Sequence, residues 1–273
     1  MSNQTNASTI PSTPIKSANP TRPRIPLLRI LIALAVIAAV LNACILGAKA
    51  LFKPGNGAPG TLLYASQFQD PKDADWYQYQ SAASLQITNN TLLLSMDVAS
   101  EGVFSPLNYP LADFDVRVVG HQLSGDDPYS EYGVLFRYQD PKNYYMFKFR
   151  ADGAYHVERT LIGVTADLSA PHAAPVAAPG SNHYNDLRVV GSGSQFQFFL
   201  NGQLLTLCPK GNDKFSTWNG DKCLSNGGQT SQTLTDTTFP DGKIGLGLYE
   251  NQQAVSVAFS NFVVYSPQLN PTP

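Results

Sequence analysis

Apolar positions along this chain follow two different patterns. From Ile30 to Ala48 they run for 19 residues with Asn42 as the only strongly polar member. A helix of that length, rising about 1.5 Å per residue, reaches roughly 28 Å, close to the hydrocarbon thickness of a bilayer. From residue 61 onward the apolar runs are short, rich in Val, Ile, Phe and Tyr, and bounded by turn residues, the pattern of an all-β domain. Strands are expected at Leu62–Phe68, Ser84–Ile87, Thr91–Val98, Val103–Ser105, Phe114–His121, Gly133–Gln139 and Tyr144–Arg150. Further strands are expected at Tyr155–Arg159, Asn185–Val190, Gln195–Leu200, Gln203–Leu207, Lys243–Glu250 and Val255–Tyr265. No helical period holds over about 11 residues beyond this point.

The central meander can be registered from its turns. Asp140-Pro141-Lys142-Asn143 makes a four-residue turn pairing Gln139 with Tyr144, so Phe136 should face Phe147 and Val134 should face Phe149. Ala151-Asp152-Gly153 fits a three-residue turn with glycine in the left-handed position, placing Phe149 opposite Tyr155 and Phe147 opposite Val157. One face then collects Val134, Phe136, Tyr138, Tyr145, Phe147, Phe149, Tyr155 and Val157. The other carries Leu135, Arg137, Met146, Lys148, Arg150, His156 and Glu158. That alternation predicts an antiparallel sheet with one buried and one wet face. Asn201-Gly202 supplies a further hairpin turn.

Charge separates the two regimes. Residues 1–53 hold Lys16, Arg22, Arg24, Arg29, Lys49 and Lys53 and no acid, a charge of +6. The other 12 basic and all 20 acidic residues follow, a charge of −8, which with the first part makes the net −2. Four basic residues precede the apolar run and two follow it, so the positive-inside rule leaves the N-terminus in the cytoplasm. The expected organisation is a disordered cytoplasmic tail (1–25), a single transmembrane helix as signal anchor (26–52), a Pro/Gly linker (53–60), a β-sandwich ectodomain (61–267) and a short tail (268–273). Leu41-Asn42-Ala43-Cys44 also resembles a lipobox, making Cys44 a candidate lipid attachment point, and an ordinary cleaved signal is a third reading. All three place the domain outside the cytoplasm, where Cys208 and Cys223 are expected to form a disulfide. The acidic domain disfavours nucleic acid as a partner.

Several segments together resemble the concanavalin A-like lectin/glucanase jelly roll, and within it the 3-keto-disaccharide hydrolase-type domains of bacterial secreted proteins. They are Phe68-Gln69-Asp70-Pro71 with Trp76, Gly133-Val134-Leu135-Phe136-Arg137-Tyr138, Asn143-Tyr144-Tyr145-Met146-Phe147 and Asn185-Asp186-Leu187-Arg188-Val189. Phe198-Phe199-Leu200-Asn201-Gly202, Gly242-Lys243-Ile244-Gly245-Leu246 and Phe259-Ser260-Asn261-Phe262-Val263-Val264 complete the set. The resemblance implies a jelly-roll β-sandwich and admits lectins, binding modules and glycosidases alike. It also suggests a structural calcium, for which Asp70 and Asn261 are the candidate ligands, and no other cofactor.

Catalytic patterns are sparse. Glycosidases of this fold class carry Glu-x-Asp-x-Glu on one strand, so that both carboxylates face the sugar. Here the glutamates are Glu101, Glu131, Glu158 and Glu250, none with a carboxylate two residues on, and Asp113-Phe114-Asp115 has no partner glutamate. His121, His156, His172 and His183 form no short-spaced pair of the kind zinc sites use. Candidate ligand-binding residues are therefore the aromatics Trp76, Tyr132, Tyr144 and Trp218, with Arg137, Lys148, Arg150, His156 and Glu158 on the wet face. The expected function is non-catalytic binding of a carbohydrate or cell-envelope polymer by a membrane-anchored module. The alternatives are a glycoside or keto-sugar hydrolase, and a structural or sensory ectodomain with a protein partner.

Overall fold

The computed structural model describes residues 58–80, 83–97, 102–125, 128–249 and 253–269. The expected tail, anchor helix and Cys44 lie outside the described residues, among which no helix is long and apolar enough to cross a membrane. The strands in chain order are β1 (Leu62–Ser66), β2 (Tyr79–Gln80), β3 (Ala83–Thr88), β4 (Thr91–Met96), β5 (Val103–Leu111) and β6 (Phe114–Ser124). Next come β7 (Glu131–Asp140), β8 (Asn143–Arg150), β9 (Ala154–Leu161), β10 (Val164–Ala173), β11 (Tyr184–Ser192) and β12 (Gln195–Leu200). The last are β13 (Gln203–Leu204), β14 (Trp218–Asn219), β15 (Lys222–Cys223), β16 (Leu234–Thr235), β17 (Gly242–Tyr249) and β18 (Val255–Tyr265).

All pairings are antiparallel and build two main sheets. The larger runs β13-β12-β11-β6-β18-β4-β3-β2, with β1 also on β18 and β16 also on β12; the smaller runs β10-β9-β8-β7-β17-β5. Their facing sides make the core. Phe136, Tyr145, Phe147 and Tyr132 from the six-stranded sheet meet Phe196, Phe198 and Phe259 from the larger one, with Phe147 and Phe198 rings 5.2 Å apart. Trp76 is a core plug, 4.8 Å from Phe262 and 5.2 Å from Phe68, and not a surface aromatic. Tyr132 is likewise buried between the sheets, its hydroxyl within 3.3 Å of the Asn185 amide. Both rings spend their faces on core packing.

Where turn chemistry is explicit, the expected register holds. Gly153 has φ 88°, and Phe149 stands opposite Tyr155 and Phe147 opposite Val157. Asn201 and Gly202 (φ 48° and 81°) join Leu200 to Gln203. On β7 the register needs correction. Asp140 pairs with Asn143 as the turn requires, but Phe136 pairs with Tyr145 and Val134 with Phe147, two residues away from the expected partners. A bulge lies between Phe136 and Asp140, with Arg137 at φ 49°. A shift of two preserves the faces below the bulge; at the bulge, Arg137 turns inward and Tyr138 outward.

Two further departures follow from proline. β10, missed in the sequence, is an edge strand with two register breaks, and its Val164–Ala173 segment holds Pro171 and shows no clean alternation. β5 continues to Leu111 through Pro106 and Pro110, which is tolerated because it is the opposite edge.

The expected disulfide is present: Cys208 and Cys223 are bonded, with Cα atoms 5.3 Å apart, and both are buried. It staples the insertion that carries the β14–β15 hairpin. Closing a loop of 15 residues is worth about 3 kcal/mol. A Cys208→Ser/Cys223→Ser variant should lose about that much stability in urea titration, and wild type under reductant should match it. Equal midpoints for the oxidised protein and the double variant would refute the estimate.

Candidate functional site on the six-stranded sheet

The outer face of the six-stranded sheet is not wet in its middle. Leu135, Tyr144 and Met146 are buried there beneath half-buried Phe104, Tyr138 and Tyr249. Phe104 lies 5.1 Å from Tyr144, 5.6 Å from Tyr249 and 6.5 Å from Tyr138, and the Tyr144 and Tyr249 hydroxyls are 3.1 Å apart. Glycine makes room for this aromatic platform. A Cβ on Gly247 would come within 2.9 Å of both Phe104 and Met146, and one on Gly102 within 2.4 Å of the Tyr249 ring.

Beside the platform is a buried ionic cluster built by strand register. Lys148 on β8 stands opposite Gly133 on β7 and His156 on β9, which sets Glu131 and Glu158 at its diagonals. Its ammonium is 2.9 Å from Glu131 Oε2 and 2.7 Å from Glu158 Oε2, and lies 4.0 Å from the Tyr249 ring centroid. His156 donates through Nε2 to Glu131 at 3.0 Å and through Nδ1 to Asp167 of β10 at 2.9 Å. Lys148 and His156 are only 4% and 3% exposed. A charge so buried persists because every charged group in the cluster has an opposite partner in contact.

The couplings fix the protonation states. Burial alone would lower His156, but hydrogen bonds to Asp167 and Glu131 outweigh it and raise its pKa to about 9. Burial would raise Glu131, but His156 and Lys148 hold it at about 2. Lys148 is raised despite burial by Glu158 and Glu131. Because the His156 pKa is above its unfolded value of 6.5, its stabilisation is full below pH 6.5 and is lost as pH rises through 9. Glu131 is depressed from 4.5, so its share is full above pH 4.5 and is lost as pH falls through 2. The melting temperature should therefore plateau between these windows and decline toward pH 9. His156→Gln should flatten the alkaline decline, which amounts to on the order of 2–3 kcal/mol for the coupled pair. An unchanged alkaline slope in that variant would contradict the assignment.

Glu131, His156 and Glu158 bring ligand-type atoms within 4.8 Å of one another. The Lys148 ammonium contacts both carboxylates and already supplies the positive charge that a cation would bring there. The other candidate ion ligands are less assembled. The Asp70 carboxylate accepts the Lys72 backbone N–H at 2.9 Å, and Asn261 is exposed on β18 beside the Ser66–Phe262 pair of the first and last strands.

Of the residues singled out in the sequence, Tyr144, Lys148, His156 and Glu158 come together on this face. Arg150 sits at its rim, holding Asp152 at 2.7 Å and the Pro128 carbonyl at 3.0 Å. Arg137 does not belong to the face: it is 1% exposed and donates to the carbonyls of Phe239, Ala112 and Gly193. Trp218 lies on the disulfide insertion, stacked on His172 at 4.0 Å and donating to Ala170 O. Asp115 is on the larger sheet, gripped by Arg117 and Arg188 at 2.8 Å and apart from any carboxylate pair. Glu131, Asp167, Tyr138 and Tyr249 were missed.

Beyond the β5 edge the face runs into a cavity of about 460 Å³, lined by Tyr77, Trp76, Gln78, Pro106, Asn108 and Lys243 among others. Tyr77 is the exposed ring there, 5.8 Å from Tyr79. The volume suits a small ligand or one end of a larger one.

No protein-family model matches this chain, and no curated protein matches it. Solved structures do. The carbohydrate-binding module CBM66 from Bacillus subtilis is 16% identical, with 70% of this chain and 96% of the module covered and a TM-score of 0.51. A Bacillus subtilis protein of unknown function with a galectin-like fold is 13% identical, covering 78% and 99%, with a TM-score of 0.52. Bacillus licheniformis β-glucanase is 11% identical, covering 77% and 100%, with a TM-score of 0.50. At such identities the likeness is one of fold. The described domain has the fold of an antiparallel two-sheet jelly roll.

Proposed function

We propose that this chain is a membrane-anchored, extracytoplasmic module that binds a carbohydrate or cell-envelope polymer without cleaving it. The observation that carries this reading is the aromatic strip Tyr249–Phe104–Tyr138 on the outer face of the six-stranded sheet, continuing into the Tyr77 cavity. Rings of this kind offer flat apolar surfaces to the C–H faces of pyranoses. Glu158 and Asp167, partly exposed at the margin, can accept sugar hydroxyls. The anchor rests on the 19-residue apolar run and its basic flanks.

The charge state favours binding over hydrolysis. Glu131 and Glu158 bring carboxylate oxygens within 4.8 Å of each other, near the about 5–5.5 Å carboxyl separation of retaining glycosidases. Such an enzyme needs one carboxyl kept protonated as an acid. Here Lys148 pairs with both, and Glu131 stays ionised down to about pH 2. The full chain in detergent should be retained on at least one polysaccharide of a panel of plant and bacterial glycans, and should release no reducing sugar from it. No retention on any glycan would overturn the binding reading, and turnover that Glu131→Gln abolishes would establish the hydrolase instead.

A further inference from the structure

A second cavity, of about 340 Å³, shares no residue with the outer face. It lies where the stapled insertion meets the two sheets. Pro209 bridges to Ser169 of β10, and Leu207 bridges to Ser231 ahead of β16. Arg159, Lys210, Asn226, Thr235 and Asp236 line it over a floor of buried Leu168 and Leu234.

Its carboxylate is already engaged, while its cationic side chains keep donors to spare. Asp236 accepts from Tyr145, the Thr238 N–H and Arg159. Thr233 Oγ1 accepts from Gln197, and Ser231 Oγ is engaged with the Thr233 backbone. Arg159 spends only Nη1, on Asp236 and Thr238 at 2.7 Å each. Among the described residues, its Nη2 and Nε find no acceptor, and no carboxylate lies within ion-pair distance of the Lys210 ammonium. The nearby Asp213 carboxylate accepts the Asn226 N–H. One aspartate against two cations gives the lining residues a charge of +1, with Asp213 just outside them, on a domain that is acidic overall.

We infer that this cavity is a binding site for a small sugar acid, its ring on Leu168 and Leu234 and its carboxylate between Lys210 and Arg159. The ligand must bring acceptors and negative charge, and the apolar floor with hydroxyl-bearing walls suits a polyol ring. The disulfide holds two walls in place, because Pro209 to Gly211 follow Cys208 directly and Asn226 lies just beyond Cys223.

Calorimetry on the full chain tests this with D-glucuronate, D-glucose 6-phosphate and D-glucose. D-glucuronate should bind at least roughly tenfold tighter than D-glucose, the effect of one charge-assisted contact. Lys210→Ala and Lys210→Gln should each erase most of that preference, while Tyr77→Ala, in the outer-face cavity, should leave it intact. Equal affinity for D-glucuronate and D-glucose would overturn the proposal. So would tighter binding of the phosphate ester, or a preference that survives both lysine variants. Loss of the preference in Tyr77→Ala would assign it to the outer face.

Discussion

Replacing Lys148 with methionine is expected to destabilise the domain by about 3–5 kcal/mol, because it leaves two carboxylates facing each other without their shared cation. Lys148 contacts both Glu131 and Glu158 closely, at 2.9 and 2.7 Å, whereas His156 is close to Glu131 alone. Once it is gone, His156 still reaches Glu131, but Glu158 keeps only a distant 3.7 Å approach to His156 Nδ1. Adding Glu131→Gln and Glu158→Gln should recover much of the loss, since the penalty belongs to unpaired charge and not to lost volume. Urea denaturation of the single and triple variants measures both. A single variant within about 1 kcal/mol of wild type would show that the cluster is solvated and not the closed network described.

Arg137→Met carries the second large effect, a loss of about 3–4 kcal/mol. The guanidinium sits 4.7 Å from the Phe196 ring centroid and joins three separate chain segments through the Phe239, Ala112 and Gly193 carbonyls. Methionine fills comparable space but donates nothing, so three carbonyls lose a partner, the Phe239 carbonyl in a buried site. Arg137→Lys should recover little, because a point-like ammonium cannot reproduce the planar fork. Thermal unfolding of both variants would settle this. If lysine restored wild-type stability, the fork geometry would be irrelevant.

How much of this was legible depends on whether the deciding signal was local. The all-β class, the β8–β9 register and the disulfide followed from turn residues, alternation and cysteine placement, all short-range. The outward parity of Lys148, His156 and Glu158 also followed, because a strand side chain alternates whatever its partner does. Glu131 was within reach too. It shares parity with Gly133 and Leu135, and was lost only because the strand was begun two residues late. Tyr249 could have been read from the same alternation, as Lys243, Gly245, Gly247 and Tyr249 face away from Ile244, Leu246 and Leu248. The β7 bulge was not legible. Arginine, tyrosine and glutamine carry no bulge signature, and the inward turn of Arg137 is fixed by carbonyls 25, 56 and 102 residues away in sequence. Asp167 was hidden for a related reason, since β10 is identified by its pairing with β9 and not by its own composition. Trp76 and Tyr132 show the converse: aromatic identity alone does not separate a binding ring from a core ring.

The proposed carbohydrate-binding surface is the outer face of the six-stranded sheet. It is tested most directly by affinity measurements on whichever polysaccharide retains the chain, using Tyr77→Ala and Tyr138→Ala with Tyr184→Ala as the control on the larger sheet. Tyr77 and Tyr184 are comparably exposed, at 57% and 60%, so neither substitution should disturb the core. Tyr77→Ala and Tyr138→Ala should each weaken binding by roughly tenfold, about 1.4 kcal/mol, while Tyr184→Ala leaves it unchanged. Unaltered binding in the first two, with loss in Tyr184→Ala, would place the ligand on the other sheet and contradict the account.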